Sequence, residues 1–92
     1  MLTEFEIRRR IQTIRTLVVT PRAKARMLLR ISRALHGQEK ALRSAYARSK
    51  QAGNRNGTSH MERMVRQTRA LCEEVRSEAS DYLVQRSGTF AA

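Results

Sequence analysis

The sequence predicts an all-α fold: a long antiparallel helical hairpin with an N-terminal helix packed on it, making a three-helix bundle. Apolar residues recur at spacings of three and four through most of the chain, which is the period of a helix with one buried side. Before the last few residues, strong helix breakers are confined to Pro21 and the segment from Gly53 to Gly57. The 92 residues make one domain, which we assign to residues 1–92.

The first helix is predicted over about residues 4–19. Thr3 and Glu6 match a capping box, in which the hydroxyl and the carboxylate satisfy the first free amides of a helix. One apolar side follows at helical spacing, formed by Ile7, Ile11, Ile14 and Val18. Thr20 then predicts a new helix start, because Pro21 suits the first helical position.

The second helix is predicted over about residues 21–52. Its apolar stripe consists of Ala23, Met27, Leu28, Ile31, Ala34, Leu35, Ala41, Leu42, Ala45 and Tyr46. The stripe keeps one phase across Gly37, and a helix break usually shifts the phase. We therefore predict one helix of about 50 Å, in which Gly37 costs on the order of 1 kcal/mol relative to alanine. The alternative is that the helix ends after His36, with Gly37 as its cap.

The third helix is predicted over about residues 60–86, after a turn at residues 53–58. Ser59 and Glu62 match a second capping box. The apolar positions of this helix are Met61, Met64, Val65, Thr68, Leu71, Cys72, Val75, Ala79, Tyr82 and Leu83. Residues 87–92 are expected to form a frayed tail.

The short turn makes helices two and three antiparallel neighbours. A turn centred near Arg55 places Ile31 opposite Ala79 and Leu28 opposite Leu83. Helix one, at roughly 25 Å, covers only the half of the hairpin away from the turn. The half near the turn then keeps an uncovered apolar flank, and we predict that it forms a homodimer. This self-association flank consists of Leu42, Tyr46, Met61, Met64 and Val65.

The net charge of +11 is the unusual feature of the composition. Sixteen of the 19 basic residues are arginine. Residues 1–57 carry 14 basic and 3 acidic side chains, whereas residues 58–92 carry five of each. The whole excess charge therefore lies on the first two helices and the turn, which restricts the expected partners to acidic ones.

A row of basic residues runs along one side of predicted helix two, beside its apolar stripe. Its core is the arginine ribbon, which we define as Arg22, Arg26, Arg30 and Arg33, and Lys40 continues it. Like charges four residues apart destabilise a helix by a few tenths of a kcal/mol per pair, so the ribbon predicts an anionic ligand. The candidate binding residues on helix one are Arg8, Arg9 and Arg15.

The arginine ribbon predicts one of two functions. The first is nucleic-acid binding through the phosphate backbone, since guanidinium groups match phosphate oxygens and binding releases counterions. The alternative is a non-enzymatic adaptor or assembly subunit that docks an acidic protein partner and self-associates. A simpler interpretation is a solvated ribbon, or one paired with acids of helix three, although five arginines of that helix compete for those acids. DNA, RNA and protein thus remain alternative partners at the level of sequence.

The sequence predicts no enzyme activity, cofactor or small-molecule substrate. His36 and His60 stand far apart, and neither accompanies a serine or cysteine motif. We interpret His60 and Met64 as a first-turn histidine beside a core methionine, not as a metal site. The single cysteine, Cys72, indicates a reducing compartment, which we take to be the cytoplasm. No apolar run has the length of a membrane span, so no membrane partner is expected.

Overall fold

In a computed structural model, the described backbone covers residues 2–53 and 55–91, and the described side chains are those of the same residues apart from 56 and 85–91. This part of the chain is all-helical, as predicted, and contains no strand. Its three helices are α1 (Glu4–Thr16), α2 (Pro21–Gln51) and α3 (Arg55–Ala91). α2 and α3 pack against each other extensively, and α1 lies against both.

Helix α1 starts where the sequence predicts and ends earlier. The Thr3 hydroxyl accepts a hydrogen bond from the Glu6 amide at 3.2 Å. The helix stops at Thr16, and Val18, predicted on its apolar side, is fully exposed. Leu17, the next residue, is already extended (φ −67°, ψ 139°), and Thr20 is extended as well (φ −64°, ψ 152°), as expected for a residue before proline. The predicted end at residue 19 is therefore wrong.

Helix α2 is continuous through Gly37, which confirms the prediction drawn from the phase of the apolar stripe. The stripe itself is only partly the buried side, since Ala34 and Ala41 are exposed. The buried residues are Ala25, Leu28, Ile31, Ser32, Leu35, Glu39 and Leu42. This arc is rotated by roughly 60° from the predicted stripe, because α3 packs beside α2 on the side that carries Ser32 and Glu39.

Helix α3 starts at Arg55, inside the turn predicted for residues 53–58. A single glycine suffices for the reversal, because Gly53 adopts φ +74° after the end of α2. Ser59 consequently lies within α3, so the predicted capping box with Glu62 is wrong. α3 continues to Ala91, beyond the predicted end at residue 86, and Ala92 lies outside the described residues.

Three contacts fix how α2 and α3 run past each other. Ser49 and Thr58 share a hydrogen bond of 3.1 Å beside the turn. Arg69 donates to Glu39 at 2.8 Å, and the Ser32 hydroxyl lies 3.4 Å from the Cys72 sulfur. The helices therefore run in opposite directions. Their register differs from the predicted one by roughly one helical turn, because the loop between them is shorter than expected. Leu83, predicted opposite Leu28, is 43 % exposed.

The core lies where all three helices meet. Its largest fully buried side chains are Ile7, Leu28, Leu35 and Val75. Gln38 fixes the start of α1, because its side-chain amide donates to the Leu2 carbonyl at 3.3 Å and accepts from the Leu2 amide at 2.9 Å. The other end of α1 is held by Lys24 of α2, whose ammonium donates to the Arg15 carbonyl at 2.8 Å, so α1 lies along the half of the helix pair away from the turn. The α2/α3 pair near the turn is thus a two-helix layer, in a molecule of 58 × 23 × 14 Å.

Candidate functional site

The arginine ribbon lies on the outer side of α2. All four of its side chains are exposed, at successive spacings of four, four and three residues. None of them forms an ion pair or hydrogen bond with another described residue. Because the buried arc is rotated from the predicted stripe, the ribbon points away from the core instead of flanking it. It is therefore an exposed row of arginines, whose last member, Arg33, also borders the cavity between α2 and α3 described below.

The carboxylates of the protein are used elsewhere. Five of the eight form ion pairs, and every partner lies outside the ribbon. The pairs are Glu4 and Glu74 with Arg8, Glu78 with Arg15, Glu62 with Arg66, and Glu39 with Arg43 and Arg69. The simpler interpretation, in which the acids of helix three neutralise the ribbon, therefore finds no support among the described side chains.

Two of the predicted binding residues, Arg8 and Arg15, join α1 to α3. Arg8 donates to Glu4 at 3.0 Å and to Glu74 at 3.3 Å, and hydrogen bonding to Glu4 together with the charge of Glu74 raises the pKa of its guanidinium. Arg15 donates to both carboxylate oxygens of Glu78, and this hydrogen bonding raises the pKa of Arg15. These two arginines link α1 to α3, and their charge is already balanced by the carboxylates that they contact.

Arg9 and Lys40, also predicted as binding residues, are exposed and make no ion pair with a described residue. Lys40 lies on the side of α2 that carries the arginine ribbon. Arg9 stands with Arg10 at an apolar groove between α1 and α2, of about 540 Å³, whose floor includes Met27 and Ile31. Lys40 therefore continues the ribbon along α2, whereas Arg9 lies on α1 at a groove that also includes Glu6.

A second group of cations was missed at the level of sequence. A cavity of about 350 Å³ between α2 and α3 is lined by Leu29, Ser32, Arg33, His36, Cys72 and Arg76. The available signal was the spacing of Cys72 and Arg76, which places them on the same side of α3. It was overlooked because the basic and acidic residues of helix three cancel in number.

The predicted self-association flank is only partly open. Leu42 is buried at 6 % exposure and belongs to the α2/α3 contact. The other four residues, Tyr46, Met61, Met64 and Val65, are half-buried. A cavity of about 390 Å³ lies between α2 and α3 here and is lined by Arg43, Tyr46, Glu62 and Val65.

The described residues contain no group of three or more histidine, cysteine, aspartate or glutamate side chains placed to hold a metal ion. None of their helices is both long and apolar enough to cross a membrane. No protein-family model, curated protein or solved structure matches the chain.

Proposed function

We propose that this protein is a non-enzymatic module that binds nucleic acid through the phosphate backbone. One observation carries the proposal: the arginine ribbon presents four exposed guanidinium groups with no carboxylate partner among the described residues. Guanidinium groups donate in a fork that matches two phosphate oxygens, and a row of like charges along a helix is relieved by a polyanion.

The dimensions of the ribbon suit a duplex backbone. From Arg22 to Arg33 the ribbon extends about 17 Å along α2. Duplex DNA carries about one charge per 1.7 Å of axis, so roughly ten phosphates lie within that length. Trp is absent and only two Tyr and two Phe occur, which disfavours base stacking. Contact is therefore expected mainly with phosphates, and selectivity would follow the shape of the nucleic acid.

The test is a binding titration with duplex DNA, duplex RNA and single strands at several salt concentrations. Neutralising about four phosphates gives a slope of log affinity against log salt near −3.6, or roughly a hundredfold loss between 50 and 200 mM. The variant R22Q/R26Q/R30Q/R33Q is expected to lose measurable binding and most of that slope.

The matched control is R10Q/K50Q/R55Q/R63Q, which removes the same charge from exposed positions outside the row of cations on α2. It should retain most of the affinity, because the ribbon is intact. Equal losses in the two variants would contradict the proposal, since net charge alone would then explain binding.

A second candidate function is an adaptor that docks an acidic protein and forms a homodimer. The observation that favours it is the cavity beside Tyr46 and Val65, which has Arg43 on one rim and Glu62 on the other. Opposite charges around an apolar centre are self-complementary about a twofold axis. Such an adaptor would co-purify with one acidic protein and would not bind nucleic acid at low salt.

A lone buried thiol suits a reducing compartment, which we propose is the cytoplasm.

A further inference from the structure

The cavity lined by Arg33 and Arg76 lies on the side of the α2/α3 pair that α1 does not cover. Its α2 residues, from Leu29 to His36, follow spacings of three and four, so they share one edge of that helix. Cys72 and Arg76 supply the facing edge of α3. Among the described residues that line the cavity there is no carboxylate and no residue of α1.

The cavity therefore has an excess of positive charge. Arg33 and Arg76 come from different helices, both are exposed, and neither pairs with a described carboxylate. Glu39, one turn further along α2, is already bound to Arg43 at 2.9 Å and to Arg69 at 2.8 Å. Two guanidinium groups at one concave site, without a counter-charge, favour an anionic ligand.

The Ser32 hydroxyl supplies a third donor at the same place. Ser32 is only 6 % exposed, and the one partner of its hydroxyl among the described residues is the Cys72 sulfur at 3.4 Å. Sulfur is a weak acceptor. Ser44, on the same helix, instead bonds back to the Lys40 carbonyl at 3.3 Å, which is the common alternative in a helix interior. The Ser32 hydroxyl is thus directed toward α3 and can donate to a stronger acceptor.

We propose that this cavity binds a phosphate monoester group, held by Arg33 and Arg76 with the Ser32 hydroxyl as third donor. At neutral pH a monoester carries between about 1.5 and 2 negative charges on three terminal oxygens, which matches two guanidinium groups. A diester carries one charge and is attached to chain on both sides. The concave cavity therefore suits a terminal phosphate, whereas the exposed arginine ribbon suits a continuous backbone.

The experiment is an NMR titration of the backbone amides of the full chain with methyl phosphate, with dimethyl phosphate as the diester control. Ionic strength is held constant with sodium chloride. We expect saturable 1:1 shifts at Ser32, Arg33 and Cys72 with the monoester, and at least severalfold weaker binding of the diester.

Variants separate this cavity from the arginine ribbon. R76Q should weaken methyl phosphate about tenfold or more, which is the loss expected for a charge-assisted donor. R63Q is the matched control, because Arg63 is exposed on α3 and does not line the cavity. R22Q should leave methyl phosphate unaffected while weakening duplex binding, so failure of the cavity and failure of the ribbon are distinguishable.

A pair of oligonucleotides identifies the source of the monoester. Tighter binding of a 5′-phosphorylated strand than of its 5′-hydroxyl twin, lost in R76Q, would identify a nucleic-acid end. Equal binding of the two strands, with methyl phosphate still saturable, would identify a free phosphate monoester. Shifts that grow linearly and match those of chloride, or equal affinities of R76Q and R63Q, would each overturn the proposal.

Discussion

At the scale of single residues, Glu39 organises more contacts than any other acid of the described chain. It is 7 % exposed, and one carboxylate oxygen accepts from Arg69 of α3 and from Arg43 of α2. The ring of His36 approaches its other oxygen at 4.0 Å. A buried carboxylate is tolerated only when it is paired and hydrogen-bonded, so Glu39 acts as a link between the two long helices.

The substitution E39Q should destabilise the protein by about 1–2 kcal/mol. It keeps the shape but loses the charge that strengthens both hydrogen bonds, and the half-exposed arginines can return to water, which limits the loss. Urea unfolding followed by circular dichroism measures it. The matched control is E73Q, an exposed acid without a described partner, expected to change stability by less than about 0.5 kcal/mol. Equal effects would show that the Glu39 contacts contribute nothing.

At the scale of helices, the signals that depend only on neighbouring residues begin α1 and α2 where the sequence predicts. Thr3 and Thr20 cap α1 and α2 through their hydroxyls, and Pro21 opens α2. Gly37 and Gly53 differ in role. Gly53 ends α2 with a positive φ, while Gly37 sits in ordinary helix with open space around its Cα. Alanine should therefore act in opposite directions at these two positions.

The substitution G37A should stabilise the protein by about 0.5–1 kcal/mol. An added methyl group meets no atom within 4 Å, and alanine reduces the conformational freedom of the unfolded chain. In a domain of this size the melting temperature would rise by roughly 2–8 °C. G53A is the opposite control, expected to lose about 1 kcal/mol because its φ of +74° disfavours a side chain. A lower melting temperature for G37A would mean that α2 needs flexibility at this point.

At the scale of the whole molecule, the surface is large for the mass. The chain exposes 6898 Å², whereas a compact folded protein of 10.6 kDa exposes about 5,500 Å². The excess of about 1,400 Å² is comparable to the area that a standard protein interface buries. The large exposed area follows from an elongated helix pair that α1 covers on one side only. This shape leaves the half of the pair near the turn open to a partner.

We predict that the protein self-associates at tens of micromolar, which sedimentation equilibrium measures. The double substitution Y46S/V65S should shift the equilibrium toward monomer, because both side chains line the apolar cavity near the turn. V18S is the control, since Val18 is fully exposed after the far end of α1, in the segment that joins α1 to α2. A strict monomer in the unsubstituted protein, or equal shifts in both variants, would refute the predicted dimer.

Some features of the candidate site follow from the sequence and others do not. The spacing of Arg22, Arg26, Arg30 and Arg33 already places them together on one side of a helix. Their outward direction depends on which side of α2 is buried. The apolar stripe does not predict that side correctly, because it leaves out the polar residues Ser32 and Glu39, which are buried. Arg76 lies beside Arg33 only because of the register between α2 and α3. An error of a few residues in the length of the connecting loop shifts that register by about one helical turn.

By itself, the sequence determined that the chain forms helices, where α1 and α2 begin, that α2 passes through Gly37, and that a row of arginines lies on one side of α2. These properties depend on contacts between residues close in sequence: caps, breakers and periodicity. Only the tertiary structure decided which acids neutralise Arg8 and Arg15, that Glu39 is buried, and that a cavity unites Arg33 with Arg76. Those outcomes depend on how three helices share one core, because burial and ion pairing are set by residues 30 to 66 positions apart.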